Sequence, residues 1–268
     1  MEAAPETSTP PAVQTRLRIV IALYIAVTLI ASAGLLAVQS VSGIDAAVLS
    51  LVQFAPAIGA LITWLSFRKS ITRLLPAEIP WRRVRIDLPA ILLACIAIWV
   101  LGAAGTAWSG HTMVGPAAVA GTPFAVFVVL QLIGACGEEI GWRGLLQPLL
   151  ESRVSRLAAV ALTGAIWALW HVQAFAAGFI SAISFVVAAM SFSVLLGYLG
   201  NGSVRQRVLI ASIGHWLINI AWYLVAGDNT LDRPQVVFVA ISAALVAGGV
   251  MAVRAVRRDG SRRRRVAA

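Results

Sequence analysis

Apolar residues run along this chain in blocks of about 20, the length needed to cross a bilayer as a helix, separated by short segments rich in Arg, Pro and Gly. The blocks fall approximately at Ile19 to Ser40, Ala46 to Phe67, Leu88 to Trp108, Pro123 to Leu150, Leu157 to Gly178, Ile180 to Gly200, Val208 to Ala226 and Gln235 to Val256. They predict an all-α protein, a polytopic membrane helix bundle of about eight transmembrane helices. The first block follows Arg16 and Arg18 like a secretory signal, but its apolar run exceeds the usual 7 to 15 residues of a signal h-region, so an uncleaved helix is expected. Met1 to Thr15, with Pro5, Pro10 and Pro11 among Ser, Thr and Glu, reads as a disordered tail.

Composition agrees with that pattern. Hydrophobic residues make up 60% of the 268 and charged residues only 12%, which is the balance of a membrane protein. The net charge of +10 does not point to nucleic acid, because the Arg residues cluster between apolar runs and at the C-terminus. Arg16 and Arg18, the six basic residues from Arg68 to Arg85, Arg153 and Arg156, Arg205 and Arg207, and the run from Arg254 to Arg265 all fall on one side of an eight-span bundle. The opposite loops hold Asp45, Asp228, Asp232 and Arg233. By the positive-inside rule both termini are cytoplasmic and the protein is multi-pass in the inner (plasma) membrane. The expected organisation is a tail at 1–15, one membrane domain at 16–256 and a basic cytoplasmic tail at 257–268 that anchors topology on an anionic leaflet. Cys95 and Cys136 both lie in apolar runs and read as small packing residues, without a disulfide framework or a cysteine metal site.

Polar residues inside the spans narrow the search for chemistry. Glu138 and Glu139 stand side by side in the fourth span, with Arg143 one turn on. Carboxylates at such depth cost a few kcal/mol each to insert and mark functional sites. Glu139 and Arg143 are four apart, which on a helix makes them neighbours and a buried ion pair. Glu138 is left without a partner in its own helix. Of three histidines, two lie in apolar spans: His171 closes Trp167-Ala-Leu-Trp-His171, and His215 opens His215-Trp-Leu-Ile-Asn219. The four-residue spacing of His215 and Asn219 puts both on one helical face. At ~1.5 Å per residue from the expected cytoplasmic ends, Glu138 and His171 lie roughly 18 to 21 Å deep and His215 roughly 10 Å. Gly137 and Gly141, at GxxxG spacing, permit close helix approach beside the acids.

A carboxylate, two imidazoles and an amide in a shielded cavity suit hydrolysis of a peptide bond, which needs a base for water and donors for the developing oxyanion. Glu138 with His171 can polarise the water, and His215 and Asn219 can hold the oxyanion. The same set, Glu138, His171 and His215, can instead ligate a divalent metal such as zinc, although no H-E-x-x-H helix is present.

Glu138-Glu139-Ile140-Gly141-Trp142-Arg143-Gly144, then Trp167-x-x-x-His171, then His215-x-x-x-Asn219, resemble the three motifs of the CAAX protease and bacteriocin-processing (CPBP, or ABI) family of intramembrane endopeptidases. The resemblance covers roughly Phe124 to Ala226. It implies an eight-helix fold, a water activated by Glu138 and assisted by His171, an oxyanion site at His215 and Asn219, and supporting roles for Glu139 and Arg143. It implies action as a glutamate protease without cofactor or as a metalloprotease with zinc. Its partners would be a membrane-associated peptide or protein substrate and the lipid bilayer. Trp167 departs from the family pattern, which usually has Phe there. Abundant Ala and the preference for Arg over Lys suggest a GC-rich bacterial genome, where prenylated CAAX substrates are not expected.

Two rival readings belong to other classes. A transporter also places Glu, His and Arg at mid-membrane, but the sequence shows neither internal repeats nor broken helices. A non-catalytic immunity or scaffold protein would have no need to keep all four reactive positions. Among the nine Trp, Trp142, Trp170 and Trp216 are placed near the cavity and the others at interfaces or in packing. His111 reads as a solvated loop residue, and Gln131, two turns before Glu138, as either cavity-facing or a helix-packing hydrogen bond.

Overall fold

A computed structural model describes the backbone of residues 11–266 and the side chains of residues 16–256. The expected tail at 1–15 and basic tail at 257–268 lie wholly or partly outside the described residues. Ten α-helices follow one another among the described residues: α1 (Pro11–Ser42), α2 (Ala55–Thr72), α3 (Trp81–Trp108), α4 (Phe124–Gly141), α5 (Gln147–Glu151), α6 (Arg156–Trp170), α7 (Val172–Ala176), α8 (Phe179–Leu199), α9 (Val204–Ala226) and α10 (Gln235–Val266). A 3-10 turn at Leu51–Phe54 leads into α2, and a π-helical turn at Trp142–Leu146 joins α4 to α5. Among the described residues the regular structure is helical apart from one isolated bridge between Val119 and Thr122, and seven helices are long and apolar enough to cross a membrane. Large apolar side chains such as Ile30, Leu65, Leu93 and Leu245 point outward, the arrangement expected where the surroundings are acyl chains.

The fifth expected span differs from the uninterrupted helix read from its apolar run. It is built from the 15-residue α6 and the five-residue α7, broken at His171. The two together match the 21 residues of α8, to which Gly178 (φ 93°) returns the chain. A glycine fits that turn because the left-handed region carries no Cβ penalty for it. The absence of broken helices, used above against a transporter, therefore does not hold.

Each main packing neighbour presents a complementary face. α4 packs on α2 and α9, α3 on α9 and α10, α8 on α6 and α10, and α1 on α2. Trp170 Nε1 donates to Ser32 Oγ at 2.9 Å and ties α6 to α1. Small residues make the α4–α2 approach close. A Cβ on Gly137 would sit 2.7 Å from the Gln53 carbonyl oxygen, and one on Gly141 2.5 Å from that of Pro56. The Gly137/Gly141 pair expected to permit close approach thus seats α4 on the 3-10 turn and the start of α2.

The Arg-rich ends of the helices are held by a polar knot. Arg207 Nη2 donates to Glu151 Oε2 at 2.7 Å, Arg156 donates to the carbonyls of Gly197 in α8 and of Gly200 just beyond its end, and Asn201 reaches Asp87 at 2.9 Å. Charge-assisted contacts of this kind satisfy helix-end carbonyls that no continuing turn can reach. The start of α9 carries a capping box between Ser203 and Gln206, a device that satisfies two otherwise free backbone N–H groups.

Candidate active site

The two adjacent acids diverge because consecutive helical residues point about 100° apart. Glu138 and Glu139 are 2% and 0% exposed. Glu139 Oε1 accepts from Arg143 Nη1 at 2.8 Å, the ion pair expected from their spacing. The same oxygen also accepts from His215 Nδ1 at 2.8 Å. A carboxylate paired with a guanidinium offers only lone pairs, so His215 is the donor through Nδ1 and its Nε2 is the nitrogen left for the site. His215 is therefore coupled to the structural acid Glu139, a partnership that the motif spacing does not reveal.

Glu138 is held from two other helical segments. Trp167 Nε1 donates to Oε2 at 2.7 Å, and Gln53 Nε2 donates to Oε1 at 3.2 Å. Gln53 reaches it by lying across Gly134, where a side chain would collide with its amide. Neither residue was among the candidates read from the sequence. Gln53 is the one amide side chain in the apolar run from Ala46 to Phe67, whose other polar residues are the hydroxyls Ser50, Thr63 and Ser66, and Trp167 sits inside a motif, so both left a signal.

The break after α6 explains the position of His171. Its φ/ψ of −82°/64° leaves the helix, and its N–H bonds Ala168 rather than continuing the i to i−4 ladder. That frees the Trp167 carbonyl, and the imidazole takes it up: His171 Nδ1 donates to Trp167 O at 2.8 Å. A backbone carbonyl accepts only, so the neutral His171 carries its lone pair on Nε2. Non-helical backbone at membrane depth is tolerated where such freed groups find partners inside the protein.

Trp167 stands between the reactive groups. Its ring is 5.2 Å from that of His215 and 5.7 Å from that of His171, and the Arg143 guanidinium lies 4.8 Å above it. Asn219 lies further along α9 and donates to Gln131 Oε1 at 3.2 Å, while Gln131 Nε2 donates to Val48 O at 3.1 Å. The amide of Gln131 thus makes the helix-packing hydrogen bond that was one of its two readings, tying α4 to Asn219 on α9 and to the turn at Val48. Trp142 packs edge-on to Trp170 at 5.7 Å, and Trp170 to His171 at 5.1 Å. Trp216 donates instead to Val128 O at 2.8 Å and links α9 to α4. His111 is exposed and bonded to Ser109 in its loop.

Glu138, His171 and His215 were the metal ligands expected if zinc is used. Among the described residues no three His, Cys, Asp or Glu side chains are grouped to hold a metal ion.

Residues 120–221 match the family model of the type II CAAX prenyl endopeptidase Rce1-like proteins. The chain is 28% identical over 138 residues to CAAX prenyl protease 2 of Methanococcus maripaludis, covering 47% of this chain and 50% of that one. It is 22% identical over 226 residues to lysostaphin resistance protein A of Staphylococcus haemolyticus, covering 84% of this chain and 62% of that one. The chain thus spans half to somewhat under two thirds of the length of these curated relatives. The matched segment contains Glu138, His171, His215 and Asn219, the residues whose motifs suggested the resemblance. Over residues 120–221, the chain is thus similar to the Rce1-like type II CAAX prenyl endopeptidases.

Proposed function

We propose that this chain is an intramembrane endopeptidase that hydrolyses a peptide bond of a membrane-associated protein or peptide, with water activated by Glu138. The observation that carries the reading is the Glu138 carboxylate: it is buried, each oxygen is held by one N–H donor, and His171 lies one residue contact away through Trp167. One donor per oxygen leaves lone pairs free for a water.

In the reaction, Glu138 takes a proton from water and His171 Nε2 orients the same water. The hydroxide adds to the scissile carbonyl carbon. The resulting oxyanion is met by His215 and Asn219, with doubly protonated His215 donating from Nε2 while Nδ1 remains on Glu139. Glu138 then returns its proton to the amide nitrogen as the C–N bond breaks. Fixed donors in a site shielded from water are the largest source of such stabilisation, and Glu139 and Arg143 serve by holding His215. The CAAX description of the relatives favours a substrate cleaved near a membrane-anchored terminus.

The test compares the protein termini of membranes from a deletion strain carrying either the parent or Glu138→Ala. A terminus produced by the parent and absent with Glu138→Ala is expected, with the same loss for His171→Ala and His215→Ala. Identical termini, or equal cleavage by purified Glu138→Ala, refute the reading. Metal analysis of the same active preparation separates the water-activation schemes, and full activity without bound metal removes the zinc version.

A further inference from the structure

We propose that Trp167 is a positioning residue for Glu138: its indole N–H sets the plane of the carboxylate, while its own main-chain carbonyl sets the orientation of His171. This deepens the reading of Glu138 as the base and rests on it.

Trp167 is 4% exposed, and a buried indole N–H is rarely left without an acceptor. The acceptor it finds is Glu138 Oε2, at the short distance typical of a charge-assisted bond. The ring that carries this N–H has little freedom. Arg143 lies over its face, and both imidazoles pack against it edge-on. Arg143 is itself fixed by Glu139. The position of Glu138 is thus inherited from a side chain locked on several sides, which is what a reacting group needs when a displacement of about 1 Å can cost ~100-fold in rate.

The main chain of the same residue does a second job. Trp167 O is the carbonyl freed by the helix break, and it fixes Nδ1 of His171. One residue thereby places both groups that handle the water, through two chemically separate contacts. A phenylalanine at this position would keep the main-chain contact and most of the packing but would have no hydrogen to offer Glu138. Trp167→Phe therefore isolates the first contact.

The experiment uses the full chain in detergent with its indoles labelled with 15N. The Trp167 Nε1–H resonance is assigned by its disappearance in Trp167→Phe, and is expected to move on Glu138→Ala and, with the carboxylate's shape retained, on Glu138→Gln. A Trp167 resonance that stays in place in both variants overturns the proposal, whatever the activity. Turnover is followed with internally quenched peptides ending in a CAAX sequence, one farnesylated and one unmodified, at matched thermal stability. Trp167→Phe is expected to lower kcat about 10- to 100-fold with KM within about twofold, the pattern of a lost transition-state interaction. A parental kcat in Trp167→Phe, with Glu138→Ala inactive, overturns the positioning role while the proposed function stands. Activity retained by Glu138→Ala refutes the function, and the resonance still decides whether the contact exists.

Discussion

Gly141→Ala is the smallest change that should disturb both the stability and the site. The added Cβ would lie 2.5 Å from the Pro56 carbonyl oxygen, where ordinary contact begins at 3.4 Å, so α4 and the start of α2 must part by about 0.9 Å. The obstacle is backbone, and no rotamer change can relieve it. Overpacking of this kind costs about 1–3 kcal/mol, of which the better helix propensity of Ala returns about 0.5–1 kcal/mol. The net loss is about 0–2.5 kcal/mol, and its centre of ~1 kcal/mol corresponds to a Tm lower by about 2–4 °C for a chain of this size. The same movement carries Gln53, three residues before Pro56, away from Glu138. Their 3.2 Å contact would stretch to about 4 Å, beyond hydrogen-bond range. Thermal unfolding in detergent, followed by tryptophan fluorescence, provides the assay. Gly248→Ala on α10 is the control, since nothing lies within 4 Å of its Cβ. If Gly141→Ala melts at or above the parent, as Gly248→Ala should, the close seating of α4 on α2 is wrong.

Two further outcomes follow from the buried polar groups. Arg143→Met strands the Glu139 carboxylate with His215 alone and should cost about 3–5 kcal/mol, whereas Arg143→Met combined with Glu139→Gln should lose less than the sum of the two single changes; simple additivity in thermal unfolding would show that the pair is not a unit. Gln131→Leu removes the acceptor that orients the Asn219 amide and should lower kcat about tenfold with little change in Tm; an unaltered kcat would take Asn219 out of the proposed oxyanion site.

The amino-acid sequence by itself determined the spans, because crossing a bilayer requires about 20 consecutive apolar residues and each run declares itself. It also determined the Glu139–Arg143 pair, since i to i+4 contacts on one helix follow from helical geometry alone. Contacts between helices depend on the rotation and depth of each helix, which no spacing along the chain encodes. Only the tertiary structure therefore assigned His215 to Glu139, Asn219 to Gln131, and Gln53 and Trp167 to Glu138. The break at His171 was hidden for a related reason. An apolar run with no Pro, and with Gly164 as its one glycine before Gly178, reads as continuous helix past His171, and what compensates for the lost turn is the histidine's own bond to the Trp167 carbonyl, a local exchange of one hydrogen bond for another.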